Sequence, residues 1–218
     1  MPDFSILTNN IDMYLEGFKY TVMSSVFALI GSFILGVILA VMRIAPIRVL
    51  NWIGSAFVEF VRNIPLVLIA FIFYFALPVV GITLNGFVAG TVTLTVYTAA
   101  FIAEVIRAGI LSVAKGQMEA ARSSGLTYTQ AMYHVVLPQA MKIVIPPLGN
   151  QFLNLVKNSS ILGIIAGTDL MYQGDLISTK TFVTFDVYIF VGMFYLILTI
   201  PLSMLVRYLE KRLAKEAV

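Results

Sequence analysis

The sequence predicts an all-α integral membrane protein with five transmembrane helices, and three observations carry that expectation. Of the 218 residues 60% are hydrophobic and 11% charged, with a mean hydropathy of +0.95, too apolar for a soluble domain of this size. Five apolar stretches, at about 20–42, 64–80, 86–106, 143–166 and 187–206, stand out along the chain. Lys and Arg collect in alternate connections between them, as they do on the cytoplasmic side of a membrane.

The first stretch, Tyr20 to Met42, carries no charge and is long enough for a hydrocarbon core about 30 Å thick. Within it Ala28, Ser32, Gly36 and Ala40 recur every four residues, a small-residue seam that admits a close helix neighbour. Arg43 and Arg48 flank the helix-breaking Pro46 and mark this end as cytoplasmic, so the N-terminus is expected outside. The residues ahead of it carry Asp3, Asp12, Glu16 and Lys19, the reverse of a basic leader, and no cleaved signal peptide is expected.

Trp52 to Val61 reads as an interfacial helix, with Glu59 and Arg62 spaced to pair at i, i+3. Asn63 is expected to N-cap the second span, with Pro65 in its first turn. A short uncharged turn, Gly81 to Asn85, leads to the third span. There Thr93, Tyr97, Ala100 and Glu104 fall on one stripe.

Glu119 to Pro138 is the long polar interruption of the chain. It reads as a helix from about Gln117 to Ser124, a left-handed corner at Gly125, and a second helix opened by a Thr127–Gln130 capping box and ended by Pro138.

The fourth span opens with Pro146 and Pro147 and then turns polar: Asn150, Gln151, Asn154, Lys157 and Asn158 share one broad face. A lysine in mid-span costs about 2.5–3.5 kcal/mol on insertion scales, so these residues are expected to face a bundle interior or a wet path. Lys157 could there meet Glu104 as a structural pair, or each could meet a substrate. The connection 167–186 is expected outside. The fifth span, with Pro201 as a kink, ends in a basic cytoplasmic tail.

The charge count agrees at every connection. Ten Lys and Arg (Arg43, Arg48, Arg107, Lys115, Arg122, Lys142, Arg207, Lys211, Arg212, Lys215) lie inside with three Glu (Glu119, Glu210, Glu216). Lys19 and Lys180 lie outside with six acids. The net charge of +3 is thus explained by topology, and no nucleic-acid partner is expected. With no cysteine, a disulfide framework and thiol chemistry are excluded. His134, the only histidine, falls in the cytoplasmic segment, where a solvated or partner-facing role is expected. No G-x-x-x-x-G-K-[ST] sequence is present for binding ATP through a P-loop. No internal repeat is apparent, and residues 1–218 are expected to form one domain.

The segment Glu119, Ala120, Ala121, Gly125, Val135, Leu137, Pro138 resembles the EAA loop of ABC importer transmembrane subunits, Glu-Ala-Ala, three residues, Gly, nine residues, Ile-x-Leu-Pro, with valine in the isoleucine place. The runs VEFVRNIPL, VYTAAFIAEVIRAGILSVAKGQMEAA and VVLPQAMKIVIPPLGNQFLNLVKNSSI are similar to the permease subunits of bacterial polar amino-acid importers, so the resemblance covers nearly the whole chain. It implies a type I importer fold in the bacterial cytoplasmic (inner) membrane. Glu119, Ala120, Ala121, Gly125, Leu137 and Pro138 are then the coupling element for a separate ATP-binding cassette subunit. Thr93, Tyr97, Glu104, Asn150, Gln151, Asn154, Lys157 and Asn158 are the expected path for a polar amino acid, glutamine-like by preference.

The resemblance also implies a second identical or homologous membrane subunit and an extracytoplasmic solute-binding protein. No cofactor is expected in this chain, since ATP and Mg belong to the partner subunit, and no enzymatic activity of its own. A secondary transporter or channel working without ATP is the alternative, poorly matched by a chain without paired halves.

Overall fold

A computed structural model describes residues 3–215, so Glu216 of the expected basic tail lies outside the described residues. Among these residues the chain is helical throughout and contains no strand. The helices are α1 (Phe4–Asn9), α2 (Ile11–Ile44), α3 (Arg48–Arg62), α4 (Leu66–Phe71), α5 (Gly86–Ser112), α6 (Lys115–Ser123), α7 (Tyr128–Ala131), α8 (Leu137–Asn158), α9 (Leu170–Thr181) and α10 (Phe185–Lys215).

Three of these, α2, α5 and α10, are long and apolar enough to cross a membrane. A fourth crossing is possible if α3 and the segment from Leu66 to Val80, bent from it by 105°, count as one broken span.

The framework is α2 against α5. The small-residue seam packs here: Ala28, Ser32 and Ala40 are 0%, 0% and 1% exposed, and a Cβ on Gly36 would lie 2.6 Å from Ile102 Cγ2. Backbones approach closely because side-chain bulk is missing on one helix, which is how apolar helices associate where lipid is as greasy as they are. At its N-terminal end α5 starts at Gly86, where a Cβ would fall 2.1 Å from the Ile165 carbonyl oxygen. That carbonyl belongs to a 3-10 segment, Ser159–Ile165, which ends in left-handed Ala166 and Thr168 around Gly167.

Several expected boundaries move. The helix of the first apolar stretch, α2, begins at Ile11 rather than Tyr20, because the acids before the apolar run favour a helix start and α2 continues through them. Asn63 caps the preceding helix instead of opening the next: its Nδ2 donates back to Glu59 O at 2.7 Å, and α3 ends there. The second apolar stretch is not one regular helix; α4 gives way to a wide π turn at Ile72–Ala76 and a 3-10 turn at Leu77–Val80.

Pro138 does not end the helix of the polar segment, nor do Pro146 and Pro147 begin the next one. All three lie inside α8. A π turn at Met132–Val136, where the Leu137 N–H reaches Met132 O five residues back, makes room for the Pro138 ring that a regular turn would press against a carbonyl. The expected outside connection also contains a helix, α9.

The α9 end is held by a buried polar group. Asp169, 0% exposed, N-caps α9 by accepting from the N–H groups of Met171 and Tyr172 at 3.2 and 3.1 Å, and the Leu170 N–H donates to Thr21 Oγ1 of α2 at 3.0 Å. No cation pairs with it among the described residues. Burial pushes its carboxyl up from 3.8 to about 6 despite those donors.

The native state therefore holds this proton where the unfolded chain has lost it. The stabilisation is full below 3.8 and is lost as pH rises through about 6. In thermal unfolding of the assembled protein, wild type will lose stability relative to Asp169→Asn as pH rises across that window, because asparagine keeps the cap and removes the titration.

Candidate functional site

Two regions carry the polar chemistry expected from the sequence. The first is the segment after α5. Helix α6 closes on Gly125 at φ +88, with the Gly125 N–H on Arg122 O at 3.1 Å and the Leu126 N–H on Ala121 O at 3.3 Å, a Schellman ending. Thr127 then starts α7 with the expected capping box: Thr127 Oγ1 accepts from the Gln130 N–H at 3.3 Å, and Gln130 Oε1 accepts from the Thr127 N–H at 2.9 Å.

A tie that sequence reasoning missed closes the corner. Gln139 Nε2 donates to Gln117 Oε1 at 3.3 Å and to Val135 O at 2.8 Å, joining α8 to α6. Glu119, Ala120, Gly125 and Pro138 are exposed, whereas Ala121 is 7% exposed and packs inward. Of the Glu-Ala-Ala triplet, only Glu119 and Ala120 are thus open to a partner. Leu137 turns toward the spans and lines an apolar slot with Ile44 and Ile110.

The second region is α8. Residues 150, 151, 154, 157 and 158 lie within about a third of the circumference at 3.6 residues per turn. Asn150, Asn154 and Lys157 are exposed and Gln151 and Asn158 half-buried. The rest of the helix is covered on two sides. Val144, Leu148 and Leu155 are buried, a Cβ on Gly109 of α5 would meet Val144 Cγ2 at 2.1 Å, and a Cβ on Gly149 would meet Val206 of α10 at 2.8 Å. The polar face is what remains open. Lys157 sits at its α10 edge, in a groove of about 260 Å³ shared with Thr199, Ser203 and Arg207, and makes no ion pair among the described residues.

The α5 stripe is arranged differently from the expectation. Thr93 and Ala100 are both 0% exposed, and Thr93 Oγ1 donates to Ala89 O of its own helix at 2.7 Å, so this part of the stripe is core. Tyr97 is half-buried, its ring 4.9 Å from Phe101.

Glu104 does not pair with Lys157. It accepts from Arg43 Nη1 at 2.6 Å and from Arg107 Nη2 and Nε at 2.7 and 3.1 Å, with Arg62 Nη1 at 3.7 Å. Glu59 completes the cluster, 3.3 Å from Arg43 and 3.9 Å from Arg62. Three arginines from three helices converge on two carboxylates here and tie together α2, α3 and α5. The i, i+3 pairs within α3 and α5 could be read from spacing. The contact of Arg43 with Glu104, sixty-one residues apart, could not.

Residues 32–215 match the model of the family described as binding-protein-dependent transport system inner membrane component. The chain is 70% identical over 211 residues to the probable glutamine ABC transporter permease protein GlnM of Bacillus subtilis (strain 168), covering 97% of this chain and 98% of that one. It is 33% identical to the glutamine transport system permease protein GlnP of Escherichia coli (strain K12), covering 97% of each. Among solved structures, it superposes on a chain of an amino acid ABC transporter crystallised with histidines with a TM-score of 0.91 at 33% identity, covering 97% and 99%. A chain of the inward-facing MetNI methionine ABC transporter matches with a TM-score of 0.65 at 26% identity, covering 91% and 95%.

Proposed function

Because this chain belongs to the binding-protein-dependent transport system inner membrane component family, we propose that it forms the path for an uncharged polar amino acid, glutamine by preference, in an ATP-driven importer. It is a multi-pass permease subunit of the inner membrane, a transport component rather than an enzyme, and the family sets aside a transporter or channel working without ATP.

The observation that carries the path is the open polar face of α8. A helix covered on two sides by α5 and α10 presents Asn150, Asn154 and Lys157 on the third, and a charge left facing lipid is expensive. A second membrane subunit, identical or homologous, placed against this face would enclose it. In that arrangement Lys157 meets a substrate carboxylate and Gln151 and Asn158 its polar end. Counting the broken pair as one span and α8 with its following 3-10 turn as another gives five crossings. In that reading the N-terminus lies outside and the C-terminus in the cytoplasm, which the Lys- and Arg-rich connections support. Glu119, Ala120 and the Gly125 corner face an ATP-binding subunit that holds ATP and Mg. A solute-binding protein delivers substrate from outside.

The arginine cluster bears on substrate choice. Glu104, the one acid within the α5 crossing, is bonded to two guanidinium groups and close to a third. It is not free to receive the amine of a cationic side chain, which favours a neutral substrate.

The test is ATP-driven glutamine uptake by the complete complex in proteoliposomes. Lys157→Met will lower uptake by about tenfold or more, the value of one charge-assisted contact of about 1.5–3 kcal/mol, with membrane insertion unchanged. Undiminished uptake in that variant counts against the α8 face as the path, and uptake without ATP counts against the importer reading.

A further inference from the structure

We infer a binding site for one anionic phospholipid of the inner leaflet at the elbow between α2 and α3, with its acyl chain lying against the coupling segment. The assignment of this end to the inner leaflet rests on the importer reading above.

Two grooves meet at Ala45 and Pro46. One, of about 720 Å³, is lined by Arg48, Asn51, Trp52 and Ser55. The other, an apolar slot of about 320 Å³, is lined by Val41, Ile44, Ile110, Tyr128, Met132 and Leu137. They share Ala45 and Pro46, so a groove that carries Arg48, Asn51 and Ser55 on an otherwise apolar lining lies beside a greasy slot. That is the amphipathic outline of a lipid, and neither a small polar metabolite nor a soluble peptide needs it.

The Arg48 groove has the charge for an anionic headgroup. Arg48 is exposed and makes no ion pair among the described residues, no acid stands in the first turn of α3, and the nearby arginine cluster holds three guanidinium groups against two carboxylates. The uncapped first turn of α3 adds to the same field. Trp52 is 73% exposed, with Val49, Ile53 and Phe60 at 65%, 46% and 64% along the same side. A helix with that apolar stripe, turned 105° from the segment that follows it, suits the plane of the membrane interface, where tryptophan settles at headgroup depth.

The slot connects this site to function. Its far wall is the coupling segment, Tyr128 of α7 and Met132 of the π turn that follows, and its near wall is the inner end of α2 and α5. A chain lying there fills the space between the segment that meets the motor and the spans that form the path. A stroke delivered to α7 then reaches the spans through packed atoms rather than through a void.

The experiment uses the complete complex in nanodiscs of phosphatidylcholine and phosphatidylglycerol in equal amounts, with lipids retained after detergent extraction identified by native mass spectrometry. Wild type is expected to retain phosphatidylglycerol in preference to phosphatidylcholine. Arg48→Gln, at an exposed position, is expected to lower that retention about fivefold, the attraction of one arginine for an anionic surface. Val41→Trp, which fills the slot from its exposed edge, is expected to lower it with Arg48 intact. In proteoliposomes the uptake obtained per ATP hydrolysed will rise with phosphatidylglycerol content for wild type and stay flat for both variants.

Equal retention by wild type and both variants, or equal retention of the two lipids, overturns the site. Retention is read by mass and does not depend on transport. The loss of ATP-driven uptake in every lipid, which would overturn the importer reading, is therefore a separate result.

Discussion

Replacing Gly125 with valine will lower ATP-driven uptake about fivefold to thirtyfold while leaving the protein inserted and assembled. The residue sits at φ +88, and a Cβ there would touch nothing within 4 Å. Steric repulsion by neighbours is therefore not the cause. The cost is conformational: an L-residue in the left-handed region gives up about 1–2 kcal/mol, more for a β-branched one, and 1–2 kcal/mol is a factor of about 5–30 in a population. That penalty falls on the corner that sets α6 against α7, while the spans behind it keep their packing. Gly125→Asn is the control, since asparagine tolerates the left-handed conformation. The expected pattern is near-normal uptake for asparagine, loss for valine, and unchanged ATP hydrolysis by the motor subunit in both. Loss of uptake in both variants alike would show that the side chain, not the backbone corner, is what matters there.

Glu104→Gln will destabilise the subunit by about 2 kcal/mol, less than the roughly 3–5 kcal/mol that removing one partner of a fully buried pair costs, because the cluster is partly open. The thermal midpoint should fall by roughly 4–8 °C, from about 2–4 °C per kcal/mol for a chain of this size. The reason lies in Arg43, whose side chain is 7% exposed and makes its shortest bond, 2.6 Å, to Glu104. Without the carboxylate its guanidinium stays inside with only Glu59, at 3.3 Å, to answer it. The double variant Glu104→Gln, Arg43→Gln should recover much of the loss, because the stranded charge leaves with its partner. If the double variant is as unstable as the sum of the single ones, the two residues act independently and the cluster does not tie α2 to α5.

The two substitutions also divide what was legible in the sequence from what was not. Gly125, Thr127 and Gln130 could be read because a left-handed cap and a capping box are local devices, decided within four or five residues of chain. The small-residue seam of α2 was legible for a related reason: a repeat every four residues puts Ala28, Ser32, Gly36 and Ala40 on one face whatever the neighbour is. Periodicity does not say what covers a face. Thr93 and Ala100 share a stripe with Tyr97 and Glu104, yet they are core: Ala100 shares a buried cluster with Val58 and Val61 of α3 and Ile69 of α4, and Thr93 is fully covered.

The prolines misled in the same way. Pro138, Pro146 and Pro147 look like boundaries to any local rule, and only a π turn at Met132–Val136 lets a helix run through the first of them.

By itself, then, the sequence determined the all-helical membrane class, the permease family through the spacing of the Glu119 to Pro138 residues, and the Gly125 corner with its capping box, all of which are written in composition or in contiguous residues. Tertiary structure alone decided that Glu104 answers Arg43 and Arg107 rather than Lys157, and that Ala121 turns inward. It also decided that the polar face of α8 is left open between α5 and α10. Each depends on how helices distant in the chain pack, and packing is set by the shapes of both partners at once, which no single segment records.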